Sequence, residues 1–152
     1  MFMAILSQTA EYALQATTLL AQHDPAVVEV GILAEALGVP RNYLSKTLSH
    51  LTRAGLLESV RGKHGGFRLA RPASLITLLQ VVEPFDRMTA SRRCLLGQVV
   101  CSDRSACPAH GAWKAISRRM VTFFRRTTLG DLARGHTRWP NRRALTRLDR
   151  ET

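Results

Sequence analysis

The sequence predicts a mainly α-helical fold with a small β-wing, arranged as a winged helix-turn-helix domain with one long helix behind it. Three observations predict it. Two short runs of helical periodicity meet at Gly38, a glycine-rich basic turn over residues 61–66 separates two short apolar runs, and aromatic residues recur at helical spacing beyond residue 109.

From Ser7 to His23, small and apolar residues return on one helical face at Ala10, Ala13, Leu14, Thr17 and Ala21, and Ser7 is placed to cap the first turn. Asp24 and Pro25 end this packing helix. A short extended run from Val27 to Val30 then leads to a second helical face of Val30, Leu33, Ala34 and Leu37. Gly38 breaks the pattern, and Pro40 opens the next helix where its missing N–H removes no bond.

That next helix, Arg41 to Gly55, turns Leu44, Leu48 and Leu51 inward. Asn42, Ser45, Lys46, Ser49 and Arg53 project from the other side, with Arg41 and Tyr43 in the first turn. An ordinary solvated face mixes acids with bases, and this one carries no acid. Arginine and lysine pair with guanine edges or phosphates, asparagine with adenine, and serine with either. The pattern is that of a recognition helix for a DNA major groove.

Leu56 to Val60 and Phe67 to Leu69 read as two short strands around the basic turn. Its glycines, Gly65 among them, permit a tight hairpin and close approach to a phosphate. Arg61, Lys63 and His64 fall at the tip. A basic hairpin directly after a recognition helix is a wing, whose cations track a phosphate backbone or enter a minor groove. Leu75, Leu78, Leu79, Val81 and Val82 then form a core helix expected to end at Pro84.

The formal charge of +11 and pI of about 11.2 point to a polyanionic partner. No run of some eighteen apolar residues spans a membrane. The N-terminus has no basic leader region and carries Glu11 inside its apolar pattern, so a cytoplasmic location is expected. No phosphate loop, paired carboxylates or oriented cysteine–histidine pair marks an enzyme.

All three cysteines fall in one stretch. Cys94, Cys101 and Cys107 leave six and then five residues between neighbours, and His110 follows after two more. An odd number cannot close a set of intramolecular disulfides. Three thiolates with an imidazole or carboxylate instead suit zinc, copper(I) or an iron–sulfur cluster. These loops are longer than the usual spacing of paired zinc ligands, as if draped around something larger than one ion. Arg92, Arg93 and Arg104 favour the thiolate form. A closed Cys3His zinc set built from the same four residues, or a thiol switch without metal, remain as alternatives.

Beyond the cysteines, Trp113, Ile116, Met120, Phe123 and Phe124 mark one face of a long helix from about Ala109 to Arg126. Lys114, Arg118, Arg119, Arg125 and Arg126 occupy its other side. So aromatic a stripe needs a second surface to bury it, either this chain's own domain or another chain. Thr128 can cap one further turn with Asp131 as its partner. The tail, residues 135–152, is rich in arginine and threonine, and disorder is expected there.

Together SQTAEYAL (residues 7–14), RNYL (41–44), VRGKHGGFRLARPA (60–73) and the three-cysteine loop resemble the bacterial winged-helix iron–sulfur regulators of the IscR and NsrR type, also called BadM-like. The likeness runs from about Leu6 to Leu132. It implies a homodimeric transcription factor, usually a repressor, that binds double-stranded DNA at a pseudo-palindromic operator and senses nitric oxide, redox state or iron–sulfur supply. It divides the chain into a DNA-binding domain at 1–86, a cluster-binding loop at 87–111, a dimerisation helix region at 112–134 and the basic tail at 135–152. The aromatic stripe then packs against the same helix of a second subunit. Cys94, Cys101 and Cys107 match the ligand cysteines. His110 matches the histidine that completes a [2Fe-2S] site in IscR-type proteins, whereas Glu11 of the partner subunit matches the acid used in the NsrR type; [2Fe-2S] is favoured over [4Fe-4S]. The first cysteine gap is one residue longer here than in the IscR pattern.

Overall fold

The computed structural model describes residues 5–89, 94–96, 103–135, 139–141 and 145–146. Helix α1 (Gln8–Gln22) is its central element. Ser7 Oγ accepts from Ala10 N at 3.2 Å, as the capping position predicts. Ala10, Ala13, Ala16, Leu19 and Leu20 are buried along one side, and three alanines there let neighbouring backbones approach closely. Thr17 is buried too, and its hydroxyl donates to Ala13 O at 2.8 Å, so no polar group is stranded.

Helix α2 (Val30–Leu37) ends at Gly38, whose φ of 67° is the left-handed conformation that glycine adopts without penalty. Helix α3 (Arg41–Arg53) follows and sinks Leu44, Leu48 and Leu51 completely. Strands β1 (Leu57–Val60) and β2 (Gly66–Leu69) make the hairpin, pairing Leu57 with Leu69 and Val60 with Gly66. Leu57, Phe67 and Leu69 face the core, while the opposed Glu58 and Arg68 form an exposed ion pair at 2.9 Å.

The run expected to be extended, Val27 to Val30, makes one antiparallel bridge. Val28 and Phe67 exchange both backbone hydrogen bonds at 2.9 Å, which stitches the wing to the entrance of α2. Such a long-range pairing has no local sequence signal.

Helix α4 (Leu78–Asp86) starts at a capping box between Thr77 and Gln80 and runs past Pro84. This corrects the expected end. Proline this late in the helix removes a single backbone bond near the C-terminus, and burial of Leu78, Val81 and Val82 outweighs it. Leu75 is likewise not core: it sits 63% exposed in a 3-10 turn, and Ile76 is the buried neighbour. Helix α5 (His110–Arg126) packs against α4, and helix α6 (Leu129–Ala133) against α1. Thr128 and Asp131 form the expected capping box of α6. Leu78 N donates to Thr127 O at 2.9 Å and Leu129 N to Ile76 O at 2.8 Å, so the α5–α6 joint is fastened to the base of α4.

The described residues of the tail, where disorder was expected, pack on the body. Trp139 Nε1 donates to Gln22 Oε1 at 3.0 Å, Asn141 N to Ala36 O at 3.1 Å, and Leu145 is buried. Two large apolar residues spaced along a polar stretch supply anchors that its overall composition hides.

Gly66 lies directly against the Val28 backbone, where an added Cβ would stand 2.2 Å from Val28 O. Gly66→Ala should therefore cost about 1–3 kcal/mol. Gly31, inside α2 with open space around it, is the control, and Gly31→Ala should stabilise by roughly 0.5–1 kcal/mol. Thermal unfolding of both variants checks the pair.

Candidate functional site

The outer face of α3 is assembled as its periodicity requires. Arg41, Asn42, Lys46 and Arg53 are exposed, Ser45 and Ser49 are half-buried, and the helix contains no acid. Ser49 Oγ donates to Ser45 O at 2.8 Å, and Arg53 Nε to Ser49 O at 3.4 Å. The serine hydroxyl thus spends its proton on the helix and offers lone pairs outward.

Tyr43 behaves differently from its neighbours. Its hydroxyl shares a short hydrogen bond with Thr9 Oγ1, and its ring meets Tyr12 edge-to-face with centroids 5.8 Å apart. Both contacts lead back to α1, so Tyr43 braces the start of α3 while leaving 39% of its surface exposed. At the wing tip Arg61, Lys63 and His64 are exposed. Gly65 is held by the turn itself: its N–H donates to Gly62 O at 3.0 Å, and a Cβ there would lie 2.4 Å from Val60 O.

Cys94 and Cys107 are half-buried. Cys101, with Arg92 and Arg93, lies outside the described residues. Cys107 and His110 sit one turn apart where the loop enters α5, joined by a 2.9 Å hydrogen bond from His110 N to Cys107 O. The His110 side chain is only 8% exposed, and its Nε2 lies 2.8 Å from Asp103 Oδ1. Lys114 Nζ grips the same carboxylate at 2.7 and 3.0 Å. These bonds, first from Lys114 and then from His110, lower the Asp103 pKa to about 2. Sequence reasoning missed Asp103 and Lys114. The available signal was an acid two residues after Cys101 and a lysine one turn beyond His110.

Among the described residues no group of three or more His, Cys, Asp or Glu side chains is placed to hold a metal ion. The donors that are described fit an iron–sulfur or zinc site chemically: half-buried thiols, and a buried imidazole held by a carboxylate, as metal-bound imidazoles commonly are. Glu11 is exposed in the first turn of α1.

The apolar stripe of α5 divides. Phe124 is buried in this chain's own core, with its ring edge-to-face against Phe123 at 5.5 Å. Ile116 and Phe123 remain 56% and 55% exposed, and Trp113 and Met120 are half-buried. Ile116, Met120 and Phe123 line an apolar groove of about 550 Å³ together with Ile5 and Leu6.

A profile of the Rrf2 family, described as iron-dependent transcriptional regulator, matches residues 6–135. The chain belongs to the Rrf2 family of transcriptional regulators. An HTH-type transcriptional regulator of Aquifex aeolicus (strain VF5) is 34% identical over 130 residues, 84% of this chain and 90% of that protein. The HTH-type transcriptional regulator IscR of Vibrio atlanticus (strain LGP32) is 33% identical over 128 residues, 84% of this chain and 73% of its own length. The structure of CymR, the global cysteine regulator of B. subtilis, superposes with a TM-score of 0.71 at 26% identity, covering 86% of this chain and 97% of CymR. The winged helical architecture is therefore that of Rrf2 regulators. The docked residues Trp139, Asn141 and Leu145 lie beyond the family match.

Two outcomes follow from this geometry. Tyr43→Phe, which keeps the ring on Tyr12 and loses the bond to Thr9, should destabilise by about 1 kcal/mol, with Tyr43→Ala costing more in denaturant titration. Because the Asp103 pKa is depressed when folded, its hold on Lys114 and His110 persists at neutral pH and weakens only as the pH falls through about 2. Carboxyl-carbon NMR should place its midpoint there, and a midpoint near 4 would contradict the observed contacts.

Proposed function

We propose that this Rrf2 regulator binds a pseudo-palindromic operator as a homodimer, acting as a repressor in the cytoplasm, and that an iron–sulfur cluster controls the binding. The observation that carries the proposal is the pairing of Cys107 with the buried His110 at the head of α5. It lies at the head of the helix that carries the exposed apolar stripe, and that helix packs on α4 of the winged domain.

The DNA-binding half is supported by the acid-free face of α3. Arg41, Asn42, Lys46 and Arg53 meet base edges and phosphates in a major groove, with Ser45 and Ser49 accepting or donating beside them. Arg61, Lys63 and His64 at the wing tip take the neighbouring backbone or minor groove, where the tight turn at Gly65 sets their approach. Tyr43 contributes by holding the first turn of α3 against α1. Two such heads read half-sites about 34 to 36 Å apart.

Trp113, Ile116, Met120 and Phe123 form the surface offered to a second subunit. Exposure of Ile116 and Phe123 supports it, because large apolar side chains in one stripe seek a partner. Phe124 supports that surface from below, within its own core.

Cys94, Cys101, Cys107 and His110 would hold the cluster. Burial of His110 beside Cys107 favours it as fourth ligand, with [2Fe-2S], over Glu11 of the partner subunit with [4Fe-4S]. When bound, the cluster supplies a link among the thiolates that nitric oxide, oxidants or scarcity of iron–sulfur units can remove. The chain does the rest: the loop ends at the first turn of α5, so ordering the loop positions α5 and, through the α4 contact, the two reading heads.

Anaerobic purification with iron, sulfide and zinc assayed on one sample tests the cofactor. A brown protein with matched iron and sulfide is expected. A colourless chain with one zinc would replace the sensor by a Cys3His structural site, and a metal-free chain whose DNA binding follows reductant would replace it by a thiol switch. Independently, Lys46→Ala should weaken binding and reduce the slope of log affinity against log salt by about 0.9 if it neutralises one phosphate. An unchanged affinity and slope for Lys46→Ala and Arg53→Ala together would remove α3 as the DNA-contacting helix.

A further inference from the structure

We propose that Asp103 is a positioning residue for the metal site: by engaging Nε2 of His110 it assigns Nδ1 as the nitrogen that binds metal. The proposal rests on His110 being the fourth ligand.

An imidazole binds metal through one nitrogen, and the bond made by the other decides which. Here Nε2 is committed to Asp103 Oδ1 at 2.8 Å, inside a side chain only 8% exposed. The carboxylate is itself held in place. Lys114, one helical turn beyond His110, binds it through both oxygens at 2.7 and 3.0 Å, so it cannot swing away from the ring without breaking a charge-assisted pair. With both of its oxygens bound by the Lys114 ammonium, the Asp103 carboxylate acts as an acceptor toward the ring, which places the proton on Nε2.

The choice of Nδ1 also suits the reach of the chain. Nδ1 is the ring nitrogen nearer the backbone, and cysteine sulfur is carried on a short side chain. His110 N and Cys107 O are 2.9 Å apart, so the two residues belong to the same turn. Asp103 further lies between Cys101 and Cys107 in sequence. Its bonds reach His110 and Lys114 on the first turns of α5, so the carboxylate ties the 3-10 turn that begins at Asp103 to the helix. A carboxylate partner also makes the imidazole a stronger ligand.

The test uses the full-length, metal-loaded protein. Pulsed EPR of the dithionite-reduced cluster, with histidine labelled by 15N at Nδ1 or at Nε2, should show the strong nitrogen coupling from the Nδ1 label; strong coupling from Nε2 overturns the proposal. This measurement needs no variant. In parallel, Asp103→Asn should release iron to a chelator about 10-fold faster than the unaltered chain, with Asp103→Glu restoring most of the retention. His110→Ala separates the two levels of inference. If His110→Ala speeds release and Asp103→Asn does not, His110 is a ligand and Asp103 does not position it. If His110→Ala releases iron at the unaltered rate and neither label couples, the fourth-ligand assignment fails and the proposal falls with it. Should the loaded metal be zinc, the same three variants are read by zinc release, with the same outcomes deciding.

Discussion

The structure depends on the burial of α1. Its inner side contributes Ala10, Ala13, Ala16, Leu19 and Leu20 to the core, and α2, α3, α4, α6 and β2 all pack against it. Fully buried leucines contribute roughly 1.5–3 kcal/mol each, and small residues between them allow several helices to share one axis. Helix α3 is positioned by this arrangement twice, through its own stripe of Leu44, Leu48 and Leu51 and through Tyr43, whose hydroxyl and ring both engage α1. The acid-free outer face of α3 is therefore held by apolar packing below and an aromatic brace at the first turn.

The wing is secured by similar logic with different parts. Hairpins of two short strands are marginal alone, and this one gains a third partner in Val28, which bonds to Phe67 in both directions. Gly66 permits that approach and Gly65 closes the turn, leaving Arg61, Lys63 and His64 free of any packing duty. Positive charge at the tip is thus carried by a frame whose glycines serve backbone contact.

Helix α5 connects two surfaces of opposite character. Its head holds His110 and Lys114 on Asp103, a polar cluster beside Cys107; its flank exposes Ile116 and Phe123. The foot is bound to α4 through Thr127 and Leu78. Helix α5 is thus in contact with the winged domain at its foot and carries the polar cluster at its head. Phe124 shows why the stripe cannot belong wholly to a partner: part of it already closes this chain's core.

Local pattern alone determined much of this protein. Periodicity in α1, α2, α3 and α5, the stop at Gly38, the caps at Ser7 and Thr128, and the basic turn of the wing were all legible, because each arises from residues a few positions apart. So was the acid-free outer face of α3. What depends on distant residues was not legible. The Val28–Phe67 bridge, the turn of Tyr43 toward Thr9 and Tyr12, the burial of Phe124 and the docking of Trp139 on Gln22 each join segments that only folding brings together. Pro84 misled because a proline usually stops a helix, yet core contacts of Val81 and Val82 carry α4 beyond it. Asp103 went unnoticed because its position near Cys101 is only a weak signal; its contacts with His110 and Lys114 are made across seven and eleven residues and form only in the folded chain. Sequence determined which elements form and which chemistry they carry, since those are short-range properties. Tertiary structure decided which side chains brace, which remain exposed and which nitrogen of His110 is held, because these are set by contacts across the fold.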